Sequence, residues 1–389
     1  MSGTTIGVVG GRWRATVTPW GAVVPHDGSA VLEWAVAGDE RWYVPRDERT
    51  VRQELMRGVP VLETRVRVGT GDAVHRAYAV ADAGGLTVVE VENLSPQPFA
   101  VAFTRRDVRT SRPIPETPVV GVDLPPGSWI APVGHRARVR IALAHRAPAP
   151  GPLPRLLPTA DQVARGWELQ VETATRFDGG PAADVPVAAL RAALLLDGPG
   201  GPAREHVGFL LGARELVELG SHVEGVSDEV AAAAERIGRR HRGADVVSWD
   251  ADAAVEAAGH VLRAIGDVRA ARDAAALRRA LPPATPPPPV PPPGPAALAW
   301  LRRTLAVDDR AGAVDLLPAP LPRGVSGSDL SVHGLRVGEG AVSFAVRWHG
   351  ERPALLWDAQ GIRRLMCTGL DPTWSTSQPT GEALLHQTR

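Results

Sequence analysis

The chain has 389 residues, 44% of them apolar and 22% charged, and its 43 basic residues balance 43 acidic ones. That length allows two to four domains with ample core, and the composition disfavours wholesale disorder, a collagen-like fibre and a membrane protein. Zero net charge removes the positive field that non-specific nucleic-acid or anionic-membrane binding needs, so neither is an expected partner.

There is no lysine, so every basic residue is arginine, and Asn93 is the only asparagine. A GC-rich bacterial coding bias accounts for this usage, which excludes Schiff-base chemistry, a lysine base and a P-loop lysine. A single cysteine, Cys367, can form neither an internal disulfide nor a thiolate metal site, which fits a reducing compartment. The opening MSGTTIGVVGGRWR has no basic segment ahead of a long apolar run, so the expected location is cytoplasmic. Asn93-Leu94-Ser95 matches the glycosylation triplet but carries no weight in that compartment.

Over residues 1–180 the hydrophobic period is two, with turn residues roughly every 10 positions. Leu62, Thr64, Val66 and Val68 oppose Glu63, Arg65 and Arg67, while Val139, Ile141 and Leu143 oppose Arg138 and Arg140. One buried and one wet face are expected, and about a dozen antiparallel strands point to a large sandwich. The stretch Arg146 to Pro158 reads as a surface crossing, and Trp167 to Glu172 as a return to a sheet.

The period changes over residues 184–281, which read as a helical domain of four or five helices. Pro186 opens one ending near Leu196, Pro202 and Gly220 bracket a second, and Ser227 starts a third through about Arg240. Ser248 or Asp250 opens the longest pattern, to about Leu281. Residues 282–295 form a Pro-rich linker, PPATPPPPVPPPGP, expected as a polyproline spacer of about 40 Å. Residues 296–389 read as a short helix at Ala296 to Leu305 followed by a small β domain, with period two in Val342 to Trp348 and a return strand at Ala354 to Trp357.

The strings GDAVHRAYAV at Gly71 to Val80, VEVENLSPQPFAVAF at Val89 to Phe103, LLPAPLP at Leu316 to Pro322, SFAVRWHGERPALLWD at Ser343 to Asp358 and GLDPTWSTSQPTGEALL at Gly369 to Leu385 resemble actinobacterial glycoside-hydrolase-like proteins. Those proteins are in turn similar to the six-hairpin glycosidases, in which a β-supersandwich precedes an (α/α)6 toroid capped by a β layer. The resemblance implies a multidomain α+β protein: a large N-terminal antiparallel β-sandwich, a helical domain and a small C-terminal β domain. A twelve-helix toroid needs roughly 200 residues or more, however, and only about half of that reads as helical here. The helical domain is therefore expected to be truncated. No acidic residue matches a catalytic motif, so no catalytic, cofactor-binding or metal residue is assigned.

Three residue groups remain to be weighed. The helical acids Glu205, Glu215, Glu218, Glu224, Glu229, Glu235 and Glu256 could supply two glycosidase carboxylates; as ordinary amphipathic-helix acids they would be solvated and paired with arginine, as in Glu215 with Arg214 or Glu235 with Arg239. Eleven tryptophans against five phenylalanines could include sugar platforms, among Trp13, Trp20, Trp34, Trp42, Trp129, Trp348 and Trp374, or could anchor cores. Arg347, Trp348, His349 and Glu351 at one hairpin, with Trp374, form the candidate ligand or interface group, and a structural role for that hairpin is the bland alternative. The histidines show no metal-ligand spacing. The expected function is a non-catalytic carbohydrate-related scaffold or binding protein whose partner is a glycan or another protein. The alternatives are an active glycoside hydrolase completed by oligomerisation and a purely structural or interaction protein; nothing in the sequence fixes an oligomeric state.

Overall fold

The computed structural model describes residues 3–38, 40–111, 128–146, 149–201, 205–221, 225–320, 327–350 and 352–386. The fold is mixed α+β, with seven α-helices and 23 strands in several sheets and no barrel among the described residues. The chain divides into two compact units, Met1–Leu169 and Gln170–Arg389. No helix among the described residues is long and apolar enough to cross a membrane.

Among the described residues the first unit holds three sheets. Thr4–Gly7, Arg14–Val17 and Val23–Pro25 form a small one; Trp129–Val133, Phe99–Phe103, Trp34–Gly38 and Arg41–Tyr43 lie in that order in a second. The third has seven strands, ordered Gly151–Pro152, Arg109–Thr110, Arg138–Ala144, Leu86–Asn93, Gly71–Val80, Leu62–Val68 and Arg52–Leu55. Its period-two sides meet in register, Val139 with Val91 and Ile141 with Val89, so each strand's apolar side joins one face. Gly69, at φ 56°, supplies the left-handed residue that lets Val68 pair with Gly71 across a two-residue turn. One core draws on all three sheets, from Ile6 and Val17 through Trp34, Phe103 and Trp129 to Leu62, Val66 and Ile141.

The other face of the seven-stranded sheet is not the wet surface that alternation suggests, since Glu63 is 5% and Glu90 1% exposed. Arg76 reaches Glu63 at 2.7 Å and Glu92 at 2.7 Å, and Arg140 reaches Glu90 at 2.8 Å, so cross-strand charges neutralise one another. The segment expected to cross the surface covers them, with Arg140 donating to Leu157 O and Tyr78 to Pro158 O. Asn93 is fully buried, donating to Gln97 O and Val133 O and accepting from Ser95 N as an Asx turn.

Helix α1 (Ala160–Val171) spans the division between the units and corrects the strand expected at Trp167 to Glu172. Its start is a capping box: Thr159 Oγ1 accepts from Gln162 N, and Gln162 Oε1 accepts from Thr159 N.

The second unit contains α2 (Val187–Asp197), α3 (His206–Glu218), α4 (Ser227–Arg240), α5 (Trp249–Ala264), α6 (Val268–Ala280) and α7 (Ala296–Leu305). The longest pattern, expected up to about Leu281, is two helices, because Gly266 turns left-handed at φ 86° and the Asp267 side chain caps α6 by accepting from Ala270 N. A five-stranded antiparallel sheet runs in the order Arg176–Gly179, Leu330–Val337, Gly340–His349, Arg352–Gln360 and Thr380–Leu384. A four-stranded one runs Ala306–Asp308, Ala313–Leu316, Arg364–Cys367 and Asp371–Thr376. The proline run is no free spacer: Val247 bonds with Pro283 O and Thr285 N, and the Trp300 indole donates to Pro288 O.

Candidate functional site

The functional geometry of the second unit begins with α5. Asp252, Glu256 and His260 recur every four residues, which places them on one stripe of a helix otherwise made largely of alanine and valine. Glu215 and Glu218 share a face of α3 in the same way. These acids are not solvated. The carboxylates of Glu215 and Glu218 are buried; Glu215 is met by arginines of α2 and α7, and Glu218 by one of α7 and by Arg214 of its own helix.

Arg191 of α2 donates to Glu215 at 2.6 Å and to Val171 O and Thr175 O, so its planar fork spends its donors on three acceptors. Arg302 of α7 joins Glu215 at 2.8 Å, Glu218 at 2.6 Å and Thr175 Oγ1 at 3.0 Å. Arg214 lies between Glu218 at 3.1 Å and Glu256 at 3.4 Å, and donates to Arg336 O at 2.6 Å. Further along α5, Arg278 reaches Asp252 and Glu256, each at 3.1 Å, and Asp308 at 2.7 Å. Arg303 pairs with Asp252 and with Glu256 at 3.3 Å, and Arg310 with Asp252 at 2.7 Å.

Burial would raise these carboxyls, but the guanidiniums outweigh it. Glu218 is held at about 2 by Arg302 and Arg214, and Arg278, Arg303 and Arg214 hold Glu256 well below the usual carboxylate range. Glu215 and Asp252 are lowered in the same way, by Arg302 with Arg191 and by Arg303 with Arg278. The expected pairing of Glu215 with its neighbour Arg214 is not made, since Arg214 turns to Glu218 one helical turn on. Glu235 does pair with Arg239 on an exposed face, at 3.2 Å. Glu224 lies outside the described residues.

Two adjoining clefts open over this network. One, of about 680 Å³, is lined by Thr175, Arg176, Glu218, His260, Arg263, His333 and Arg336 among others. The second, of about 310 Å³, shares His260, Arg263 and the turn Gly338-Glu339-Gly340 with it and adds Glu256, Arg279, Arg310 and Arg363. His260 sits at their junction, its Nε2 3.9 Å from Glu218 Oε1. Burial and Arg214 hold this imidazole neutral, lowering it to about 4. Neither cleft is lined by tryptophan, tyrosine or phenylalanine. Among the described residues no group of three or more His, Cys, Asp and Glu side chains converges as a metal ion would require.

The hairpin residues lie elsewhere. Arg347 donates to Ser331 Oγ at 2.8 Å and to Leu330 O, and the Trp348 indole donates to Ser328 O at 3.0 Å, so both fasten the neighbouring strand. His349 is exposed at the strand end, and Glu351 lies outside the described residues. Trp374 packs edge-on to Trp357 at 5.2 Å between ring centroids. All eleven indoles are buried or half-buried. Trp13 stacks on His145, Trp34 on His75 and Trp129 on Phe103.

No protein-family model matches the chain, and no curated protein matches it. The chemistry of the cleft therefore carries the functional reading.

Proposed function

We propose that the protein is a non-catalytic carbohydrate-binding scaffold of glycoside-hydrolase-like descent. In this reading a supersandwich-like β domain, a shortened helical domain and a small C-terminal β domain are kept from the six-hairpin architecture, and the sugar binds in the paired clefts of the second unit. The observation that carries it is the state of the helical carboxylates at the cleft floor. Hydrolysis of a glycoside needs a carboxylic acid that still holds its proton near neutral pH. Glu218 and Glu256, each held by two or more arginines and lowered in pKa, have none to give. Neutral His260 lacks one as well. What remains is a polar concavity with fixed hydrogen-bonding groups, which suits binding hydroxyls rather than breaking a bond. The buried, unpaired Cys367 suits a cytoplasmic setting.

A structural or interaction role without ligand is the second reading, favoured by indoles that are all buried or half-buried. Calorimetric titration with α-glucans, trehalose, cell-wall oligosaccharides and uronate oligomers, beside an aryl-glycoside turnover assay, separates the two. Heat with at least one sugar class and no turnover above background is expected. Turnover that disappears in Glu218→Gln overturns the non-catalytic assignment, and silence towards every sugar leaves only the structural role.

A further inference from the structure

The charge around the two clefts is uneven once the internal ion pairs are set aside. Arg278 and Arg310 are spent on Asp252 and Asp308, and Arg263 on Glu339 at 3.5 Å. Arg176 and Arg336 in the larger cleft, and Arg279 and Arg363 in the smaller, are exposed and have no carboxylate partner among the described residues. Against these four guanidiniums stands, among the described residues of the two clefts, one exposed acid without an arginine partner, Glu172. The rim therefore presents a net positive field above a floor where six guanidiniums meet five carboxylates, and it focuses that field into a concave site. The carbonyl ends of α3 and α5 border the larger cleft and carry only partial negative charge, each about half a unit.

The second observation concerns what the clefts lack. A neutral sugar is commonly held by an aromatic face packed on its C–H surface, and neither cleft offers one. Guanidinium forks instead bind carboxylates or phosphates through paired, charge-assisted hydrogen bonds. We infer that the ligand of the paired clefts is an anionic sugar, a uronate or sugar phosphate, whose acidic groups lie on Arg176 and Arg336 in the larger cleft and, where the sugar is long enough to span both, on Arg279 and Arg363 in the smaller. This rests on the carbohydrate-binding reading above and sharpens its substrate class. His260, which lines both clefts, suits the hydroxyls of such a sugar.

Calorimetry on the full chain at low salt tests it with four probes: trigalacturonate, glucose 6-phosphate, maltotriose and inorganic phosphate. Trigalacturonate or glucose 6-phosphate is expected to bind at least about tenfold more tightly than maltotriose, and whichever does so names the acidic group. The preference is expected to shrink as salt rises and to fall roughly tenfold in the double variant Arg176→Ser/Arg336→Ser, whose exposed, unpartnered side chains the fold does not use. Equal binding of maltotriose overturns the anionic ligand while leaving carbohydrate binding in place. Acidic-sugar binding indifferent to both salt and the double variant overturns the site. Phosphate binding without any sugar, or no binding at all, removes the carbohydrate reading and this inference with it.

Discussion

Glu215 sits between two guanidiniums with 3% of its side chain exposed, Arg191 Nε at 2.6 Å and Arg302 Nη2 at 2.8 Å. Glu215→Gln keeps the shape and removes the charge, leaving buried cations without their full complement. The expected loss is about 3–5 kcal/mol in denaturant unfolding of the second unit. Glu235→Gln, at an exposed pair on α4, is the control and should cost less than about 0.5 kcal/mol. Equal losses at the two positions would sink the claim that the buried network matters to stability. Glu215, Glu218 and Glu256 stand out in the sequence as helical acids, whereas the four-residue stripe of Asp252, Glu256 and His260 on an alanine-rich helix was passed over. Read as such, that stripe signals a buried polar face. The partners were not legible, because Arg191 precedes Glu215 by 24 residues and Arg302 follows it by 87, so no local spacing joins them. The tryptophan skew left sugar platforms and core anchors both open, because composition reports residue type and not exposure.

At the level of elements, the turn between α5 and α6 rests on Gly266 and Asp267. Asp267→Ala removes the cap on α6 and is expected to cost about 1 kcal/mol, read as weakened hydrogen-exchange protection in the first turn of that helix. Protection unchanged there, with Ala270 N still slow, would show that packing alone fixes the start of α6. The same dipeptide shows how the sequence misleads: continuous alanine-rich periodicity from Trp249 to Ala280 outweighed an Ile-Gly-Asp break that is an ordinary helix stop followed by an N-cap. Helix α1 was hidden differently. Its capping box, Thr159 to Gln162, was in plain view, but the prolines before it set an expectation of surface loop and strand. The helices opened by Pro186 and by the residues after Pro295 were readable because proline fixes the first turn of a helix without needing a donor. The proline block itself was readable, whereas its attachment to Val247 depends on a residue well upstream of it in sequence.

Across the whole molecule, the broad α+β character followed from the change in hydrophobic period, a local signal. Burial of charge did not, because it is settled by which segments cover a face, as Leu157 and Pro158 cover Glu90. That buried charge determines how stability responds to acid. Burial holds His75 and His145 of the first unit and His260 of the second neutral, lowering them from the ordinary 6.5 to about 3, about 4 and about 4. An unfolded chain takes up these protons near pH 6.5, whereas the native chain resists until pH 3–4. Stability is therefore complete above pH 6.5 and falls as pH drops through that window, by about 1.4 kcal/mol per pH unit for the fully buried His75. Below about 4.5 a further loss begins in the second unit, where native Glu218 stays ionised down to about 2 while its unfolded form protonates. Melting temperature measured every half pH unit should be flat from 8 to 7 and fall below 6.5. His75→Phe keeps a ring stacked on Trp34 and removes a titrating nitrogen that has no hydrogen-bond partner. It should flatten the slope between pH 6.5 and 3 for the first unit while leaving the steeper fall of the second unit below 4.5 intact. An unchanged slope in that variant would mean that His75 gains its proton in the native protein near pH 6.5, and that the pocket around it is wet.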